Sequence, residues 1–320
     1  MEEKSSNPVT EEQLVYRTPL VVMANAAIAV EGIRVGAQVR IVHLAKHGET
    51  CSDTEELLRR VEEVEKWADK RLSQLLEDHP AYPWLQKIKG ASSGEVIGKV
   101  LGNIENFGKF YDLDDSNIPK EVYRDPVQIT IQPANGKEAV VKDVVWVEAI
   151  ERFVTPSKLR KYAGLMPGLK KEAGKKLAYN AELKTMLWRL GSVFMKQQNK
   201  YFEFYKNYKE YLLRRMEKDG IKVIPTPKSR LCPTCVKEVT KKAARFCPDC
   251  GSPLSLKNEP EGVKYEMHIH MMAQRRMLQL FLDHLWVVWR QAKGLSVRDP
   301  WPIEYGGHTT IIHPEEMADR

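Results

Sequence analysis

Hydrophobic positions recur at helical spacing along most of the chain, and polar punctuation separates the helices. From Leu14 to about Gly48, Leu14, Val15, Val21, Val22, Ala26, Ile28, Ala29, Ile33, Val39, Ile41 and Leu44 give a mostly apolar face with Pro19 near its start. The stretch Thr50-Cys51-Ser52-Asp53-Thr54-Glu55-Glu56 is rich in capping residues and early acids, so Ser52 or Asp53 is expected to cap a second helix. Leu57, Leu58, Val61, Val64, Trp67, Ala68, Leu72, Leu75 and Leu76 carry that helix to about Asp78, and Pro80 stops it. Two long helices joined by a short turn predict a helical hairpin or coiled coil over residues 13–80, after a flexible lead at 1–12.

Apolar residues from Trp84 to Ile88 then precede Gly90, and a second short helix is expected from Gly94. Gly90 can supply the positive φ of a tight turn, and N–H groups opening the second helix can hold a phosphate. This is the physical logic of a helix-hairpin-helix, with Lys87, Lys89, Gly90, Ser92 and Gly94 as candidate DNA contacts. Ser92 stands where a second glycine would complete the pattern. An ordinary helix–turn–helix of the core is the alternative.

Val127 to Gln132 alternates as a strand, Asn135-Gly136 is a hairpin signal, and Ala139 to Val147 offers a return strand with helix as an alternative after Val144. Together they predict a small β insertion at about 125–147. Thr155-Pro156-Ser157 should cap a short helix carrying Lys158, Leu159, Arg160 and Lys161, broken by Gly164, Pro167 and Gly168 and followed by a basic loop to Lys176. Residues 180–218 read as one long helix. Its stripe of Tyr201, Phe204, Tyr205, Tyr208 and Tyr211 could stack bases, although core packing is the commoner use. A last helix over 265–293 ends at Gly294, and 299–320 reads as an irregular tail. The fold class is mainly α, with a helix-hairpin-helix domain over 81–220, an inserted ribbon at 228–256 and a C-terminal helix and tail at 262–320.

Composition fits a folded chain of 320 residues, with 42% hydrophobic and 29% charged residues, and excludes a fully disordered one. The longest apolar run, residues 20–30, contains Asn25 and is shorter than a membrane span needs. The polar, acidic start Met1-Glu2-Glu3-Lys4-Ser5-Ser6 lacks a signal-peptide pattern, so a cytoplasmic protein with no membrane attachment is expected. The net charge of +7 is concentrated. Residues 158–176 hold seven basic residues and one acid, and residues 228–245 hold six and one. Two basic segments on a near-neutral body point to a polyanion at particular faces, with solvated loops as the alternative. The first segment contributes Lys158, Arg160, Lys161, Lys170, Lys171, Lys175 and Lys176 as candidate DNA contacts.

The cysteine pattern is the sharpest chemical signal. Cys232-Pro233-Thr234-Cys235 and Cys247-Pro248-Asp249-Cys250-Gly251 are two Cys-x-x-Cys turns, each able to present two thiolates to one tetrahedral ion. A structural zinc ion held by Cys232, Cys235, Cys247 and Cys250 is expected. Paired redox motifs are the alternative. Cys51 is solitary and reads as an inert thiol. His268, His270, His284, His308 and His313 do not form a recognisable metal pattern, and His268 and His270, two apart, point to different faces of a helix.

At Thr155-Pro156-Ser157-Lys158-Leu159-Arg160-Lys161-Tyr162-Ala163-Gly164-Leu165-Met166-Pro167 the chain resembles the C-terminal transposase domain of the insertion-sequence "one-ten" family, the bridge recombinases. That family places an aromatic-Gly-Leu-x-Pro region after a helix-hairpin-helix, and a helical coiled coil precedes it. The resemblance spans roughly residues 13–215. The zinc ribbon and C-terminal helix lie outside it. It implies DNA binding in transposition or recombination, with structured RNA as a further partner and self-association through the N-terminal helices. Two departures alter the expected chemistry. No counterpart of the family's RuvC-like nuclease domain, with its four acidic metal ligands, is expected from these residues, since the first 50 show no strand–acid arrangement. Where the family carries a Ser-Gly pair, this chain reads Ala173-Gly174, and an alanine methyl cannot act as a nucleophile. The expectation is a transposase-like DNA-binding protein without its own strand-transfer chemistry. The alternatives are a recombinase subunit that works with a separate nuclease or uses another serine such as Ser157 or Ser192, and a zinc-ribbon module that binds a protein.

Overall fold

The computed structural model describes residues 9–10, 18–113, 115–116, 118–119, 124–132, 140–169, 174–226, 230–239, 244–254, 259–298 and 311–320. Over these residues the chain is mainly helical with short strands. It divides into two compact units, one formed by 1–197 with 282–320 and the other by 198–281.

In the first unit, helix α1 (Pro19–Lys46) starts at Thr18, whose hydroxyl accepts from the Val21 N–H at 3.2 Å. Pro19 occupies the first helical position, where a missing N–H costs nothing. Helix α2 (Ser52–Glu77) begins at Ser52, one of its two expected caps, so its cap falls before both. Cys51 takes the cap position without a side-chain cap bond, while Asp53 and Glu55 fall in the first turn, at the positive end of the helix. The two helices pack together, and Leu20, Val21, Ala24 and Ala27 of α1 and Val61, Ala68, Leu72 and Leu76 of α2 are buried, while Arg34 pairs with Glu65. Val35, Val39 and Val42 of α1 and Leu57, Val64 and Trp67 of α2 remain exposed. By length and composition α1 is long and apolar enough to cross a bilayer, with a mean hydropathy of 1.6 over its most apolar window. The short apolar run of residues 20–30 is thus one part of a longer apolar helix.

Helix α3 (Tyr82–Leu85) leads to the Gly90 turn. The expected second helix opens as a π-helical turn, Gly94–Gly98, and continues as α4 (Lys99–Glu105). Lys99 is only 3% exposed, and its ammonium lies 3.4 Å from Glu31 of α1 and 3.3 Å from Asp69 of α2. A buried cation is tolerated because both carboxylates face it.

The strands β1 (Val9–Thr10), β2 (Lys109–Asp112), β3 (Val127–Gln132) and β4 (Val140–Val147) form one sheet in the order β1-β3-β4-β2. Strand β4 runs on through Val147, where helix was an alternative, because Val144 to Val147 pair with Asp112 to Lys109 of β2. The Asn135-Gly136 turn lies outside the described residues. Helix α5 (Ala149–Arg152) starts at the Glu148 cap. Helix α6 (Pro156–Tyr162) starts at Thr155, whose side chain accepts from the Lys158 N–H at 3.4 Å.

The helix expected over 180–218 is two helices, α7 (Ala181–Gln197) and α8 (Lys200–Lys218). Gln198 takes a positive φ of 48°, and the Asn199 side chain accepts from the Phe202 N–H at 3.0 Å to start α8. Asparagine is a strong N-cap, so the chain restarts where periodicity alone continues.

In the second unit, β5 (Lys222–Ile224) pairs in parallel with β8 (Val263–Tyr265), and β6 (Arg230–Leu231) pairs antiparallel with β7 (Glu238–Val239). Helix α9 (Glu266–Ala292) belongs to this unit up to Phe281. Tyr201 and Tyr205 of the aromatic stripe are buried, Tyr201 edge-on to Phe281 at 5.5 Å and Tyr205 with its hydroxyl 2.6 Å from His270 Nδ1. Tyr211 is exposed.

The remainder of α9 returns to the first unit. Trp286 Nε1 donates to the Phe153 carbonyl, and the buried Arg290 donates to the Ile150 and Ser296 carbonyls at 3.0 and 2.7 Å. The tail expected to be irregular carries a 3-10 turn, Pro314–Met317, and is docked. Trp84 Nε1 donates to the Pro314 carbonyl at 3.0 Å, and His284 Nε2 lies 2.9 Å from the Ile312 carbonyl. Residues 299–310 lie outside the described residues.

Candidate metal centre and nucleic-acid interface

The two Cys-x-x-Cys turns are built alike. In the first, the Val236 N–H donates to the Cys232 carbonyl at 3.0 Å; in the second, the Gly251 N–H donates to the Cys247 carbonyl at 3.0 Å. The residue after each pair takes a left-handed conformation, Val236 at φ 58° and Gly251 at φ 70°. Glycine enters that region freely, whereas a β-branched valine is strained there. The turns bring the four sulfur atoms within 4.8 Å of one another. Cys232 and Cys250 are 3.4 Å apart, and Cys235 and Cys247 are 3.7 Å apart. A tetrahedral ion with metal–sulfur bonds of about 2.3 Å needs sulfur–sulfur edges of about 3.8 Å. The four cysteines are therefore close enough to hold one metal ion.

Among the described residues Cys232, Val239 and Cys247 form a buried cluster here, with Cys235, Ala244 and Leu254 partly buried against it. As free thiols Cys250 and Cys235 do not ionise alike. Hydrogen bonds from the Ser252 hydroxyl and backbone hold Cys250 down to about 6. Cys235 is pushed up to about 12: the Lys237 backbone bond acts against the shift, while burial and the neighbouring thiols drive it. A divalent cation removes this conflict, because it favours the thiolate at every ligand.

The turn at Gly90 has the positive φ that the sequence implied, at 85°. Lys87, Lys89 and Ser92 are exposed around it. Gly94 is buried instead. Its N–H donates to Ser73 Oγ at 2.9 Å, and a Cβ there would lie 2.3 Å from the Ser73 nitrogen. The amide that opens the second helix is thus used inside the fold. The Lys89 N–H donates to Asp319 Oδ2 at 2.9 Å.

The basic segment is divided by the fold. Lys158 and Lys161 are exposed on α6, and Lys175 and Lys176 are exposed beyond it. Lys170 and Lys171 lie outside the described residues, as does Ala173. Arg160 points inward, its side chain 14% exposed, and its Nε lies 3.1 Å from Asp283 of α9. It ties α6 to α9 and is not a surface cation. Beside Lys158 and Lys161 lies a cluster that sequence reading missed. The Phe107 ring stacks on Phe153 at 4.6 Å and lies 4.6 Å from the Tyr162 ring, and the Arg152 guanidinium sits 3.8 Å from the Phe107 centroid. These residues come from the chain after α4, from α5 and from α6, so no local motif announces them. Among the described residues, no carboxylate lies within ion-pair distance of Arg152, Lys158 or Lys161.

Ser157 Oγ accepts from Arg160 at 3.2 Å, and Ser192 Oγ donates to the Trp188 carbonyl at 3.2 Å. Among the described residues neither hydroxyl bonds to a histidine or carboxylate that could take its proton. Among the described residues the cysteine quartet is also the one cluster of metal-ligating side chains. No family model, no curated protein and no solved structure matches the chain.

Proposed function

We propose that this chain is a nucleic-acid-binding protein of the transposase-like kind, acting on DNA in transposition or recombination and contributing no strand-transfer chemistry of its own. The observation that carries the reading is the placement of Lys158 and Lys161. Both are exposed on one short helix beside the Arg152–Phe107 pair, with no described carboxylate to neutralise them. Cations left open beside aromatic rings suit phosphates and bases together. The Gly90 turn, flanked by exposed Lys87 and Lys89, supports a helix-hairpin-helix as a second backbone grip. The Thr155–Pro167 resemblance to the bridge recombinases supplies the process.

The metal is proposed to be zinc, since four thiolates within 4.8 Å of one another suit it and paired Cys-x-x-Cys turns are a usual zinc-ribbon pattern. Its role is structural. Exposed Val35, Val39, Val42, Leu57, Val64 and Trp67 on α1 and α2 support self-association through these helices. A gel-shift series on duplex DNA at rising salt tests the binding claim. Binding that weakens steeply with salt is expected, and no binding at low salt would refute it. The same series on structured RNA decides between the two nucleic acids. A nuclease subunit working in trans would show itself by co-purifying with the chain.

A further inference from the structure

We propose that the cavity beside α6 seats one unpaired nucleotide of a bound nucleic acid, its base against Tyr111 and Arg152 and its phosphate against Lys158 and Lys161. The inference rests on the nucleic-acid reading above and goes beyond it by naming the feature that is recognised. The cavity is about 620 Å³, a size ordinary for a small-ligand site, and lies wholly within the first unit. Its described lining holds three cations, Arg152, Lys158 and Lys161, and no acid.

Its aromatic wall is fixed in place. Phe153 is buried, and the Tyr162 hydroxyl accepts from Asn180 at 3.1 Å and donates to the Asn103 carbonyl at 3.3 Å. Arg152 Nη1 donates to the Phe107 carbonyl while its guanidinium covers the Phe107 ring. The guanidinium carbon also lies 5.5 Å from the Tyr111 centroid. Tyr111, half-buried on β2, and the guanidinium therefore border the same space. A flat π-system can lie against either surface without reorganising it. A paired base has both faces covered by its neighbours and its edge turned inward, so it cannot enter. A base already out of the stack can enter without unpairing first. The two lysines, one helical turn apart, then lie where the attached phosphate remains near solvent.

Three labelled duplexes of one sequence test this with the full-length protein: one fully paired, one with a single unpaired thymidine, and one with an abasic sugar-phosphate at that bulge. The thymidine bulge should bind about fivefold or more tighter than the abasic bulge, the scale of one stacked base. Tyr111→Ala should bring that ratio close to one, and Tyr111→Phe should keep it. Thymidine monophosphate alone should bind far more weakly than the bulged duplex, and equal affinity would assign the cavity to free nucleotides and overturn the proposal. Equal binding of the thymidine and abasic bulges would overturn it too, while salt-dependent binding of the paired duplex left the broader reading standing. Binding to none of the three duplexes would overturn both.

Discussion

The backbone N–H of Lys89 donates to the Asp319 carboxylate at 2.9 Å, and the Asp319 N–H donates in return to the Lys87 carbonyl at 2.9 Å. An acidic side chain thus rests on the turn whose Lys87, Lys89 and Gly90 the hairpin reading counts among the DNA contacts. Carboxylate and phosphate oxygens accept from the same donors. Asp319→Ala should therefore strengthen duplex binding at low salt. One charge-assisted bond made available is worth about 1 kcal/mol, or roughly fivefold. Anisotropy titrations check this. Unchanged or weaker binding would show that the turn serves packing alone.

The segment that carries the four cysteines should depend on a bound metal ion. So small a segment, with three buried residues in its core cluster among the described residues, cannot supply the stability of a hydrophobic core. Cys247→Ser should lower bound zinc from one ion per chain and raise amide exchange across 230–254, while α1, α2 and α7 keep their protection. Elemental analysis and hydrogen exchange report the two effects. Gly251→Val should weaken zinc retention and Val236→Gly should preserve it, because only the first puts new strain into a left-handed position.

Acid should destabilise the first unit through two buried histidines. Desolvation, with Lys293 adding to it, lowers His79 to about 3, and the Ala81 N–H donates to its Nδ1 at 3.1 Å. Desolvation lowers His284 to about 4. Both folded values lie below the unfolded value near 6.5, so between them the unfolded chain binds more protons. Stability is full above pH 6.5 and falls as pH drops toward 4, by about 1.4 kcal/mol per pH unit for each histidine. Burial raises Glu105, which opposes the trend at lower pH. Urea midpoints of the Cys247→Ser protein at pH 7 and 5.5 isolate this from metal release. A lower midpoint at pH 5.5 is expected, and His79→Gln should roughly halve the change.

Much of this architecture is legible in the sequence because it is local. Helical spacing, Pro19, Pro80 and Thr155 mark the helices, and the cysteine spacing marks the metal quartet. The failures are of two kinds. At Gln198 and Asn199 an apolar period runs on across a break that one capping side chain makes. The other misreadings are long-range. Arg160 counts as a basic surface residue until Asp283, far along the chain, is brought 3.1 Å from it. Gly94 counts as a phosphate donor until Ser73 takes its N–H. The wall of Phe107, Tyr111 and Arg152 joins two stretches of chain about forty residues apart, each unremarkable alone.

The salt dependence of duplex binding tests the central claim most directly, in wild type and in the double variant Lys158→Ala/Lys161→Ala. Each phosphate contact contributes about 0.9 to the slope of log affinity against log salt. The double variant should bind every duplex sequence more weakly, with a slope shallower by about 1.8. Identical affinity and slope in the two proteins would contradict the account, because the cations left open on α6 would then face only solvent.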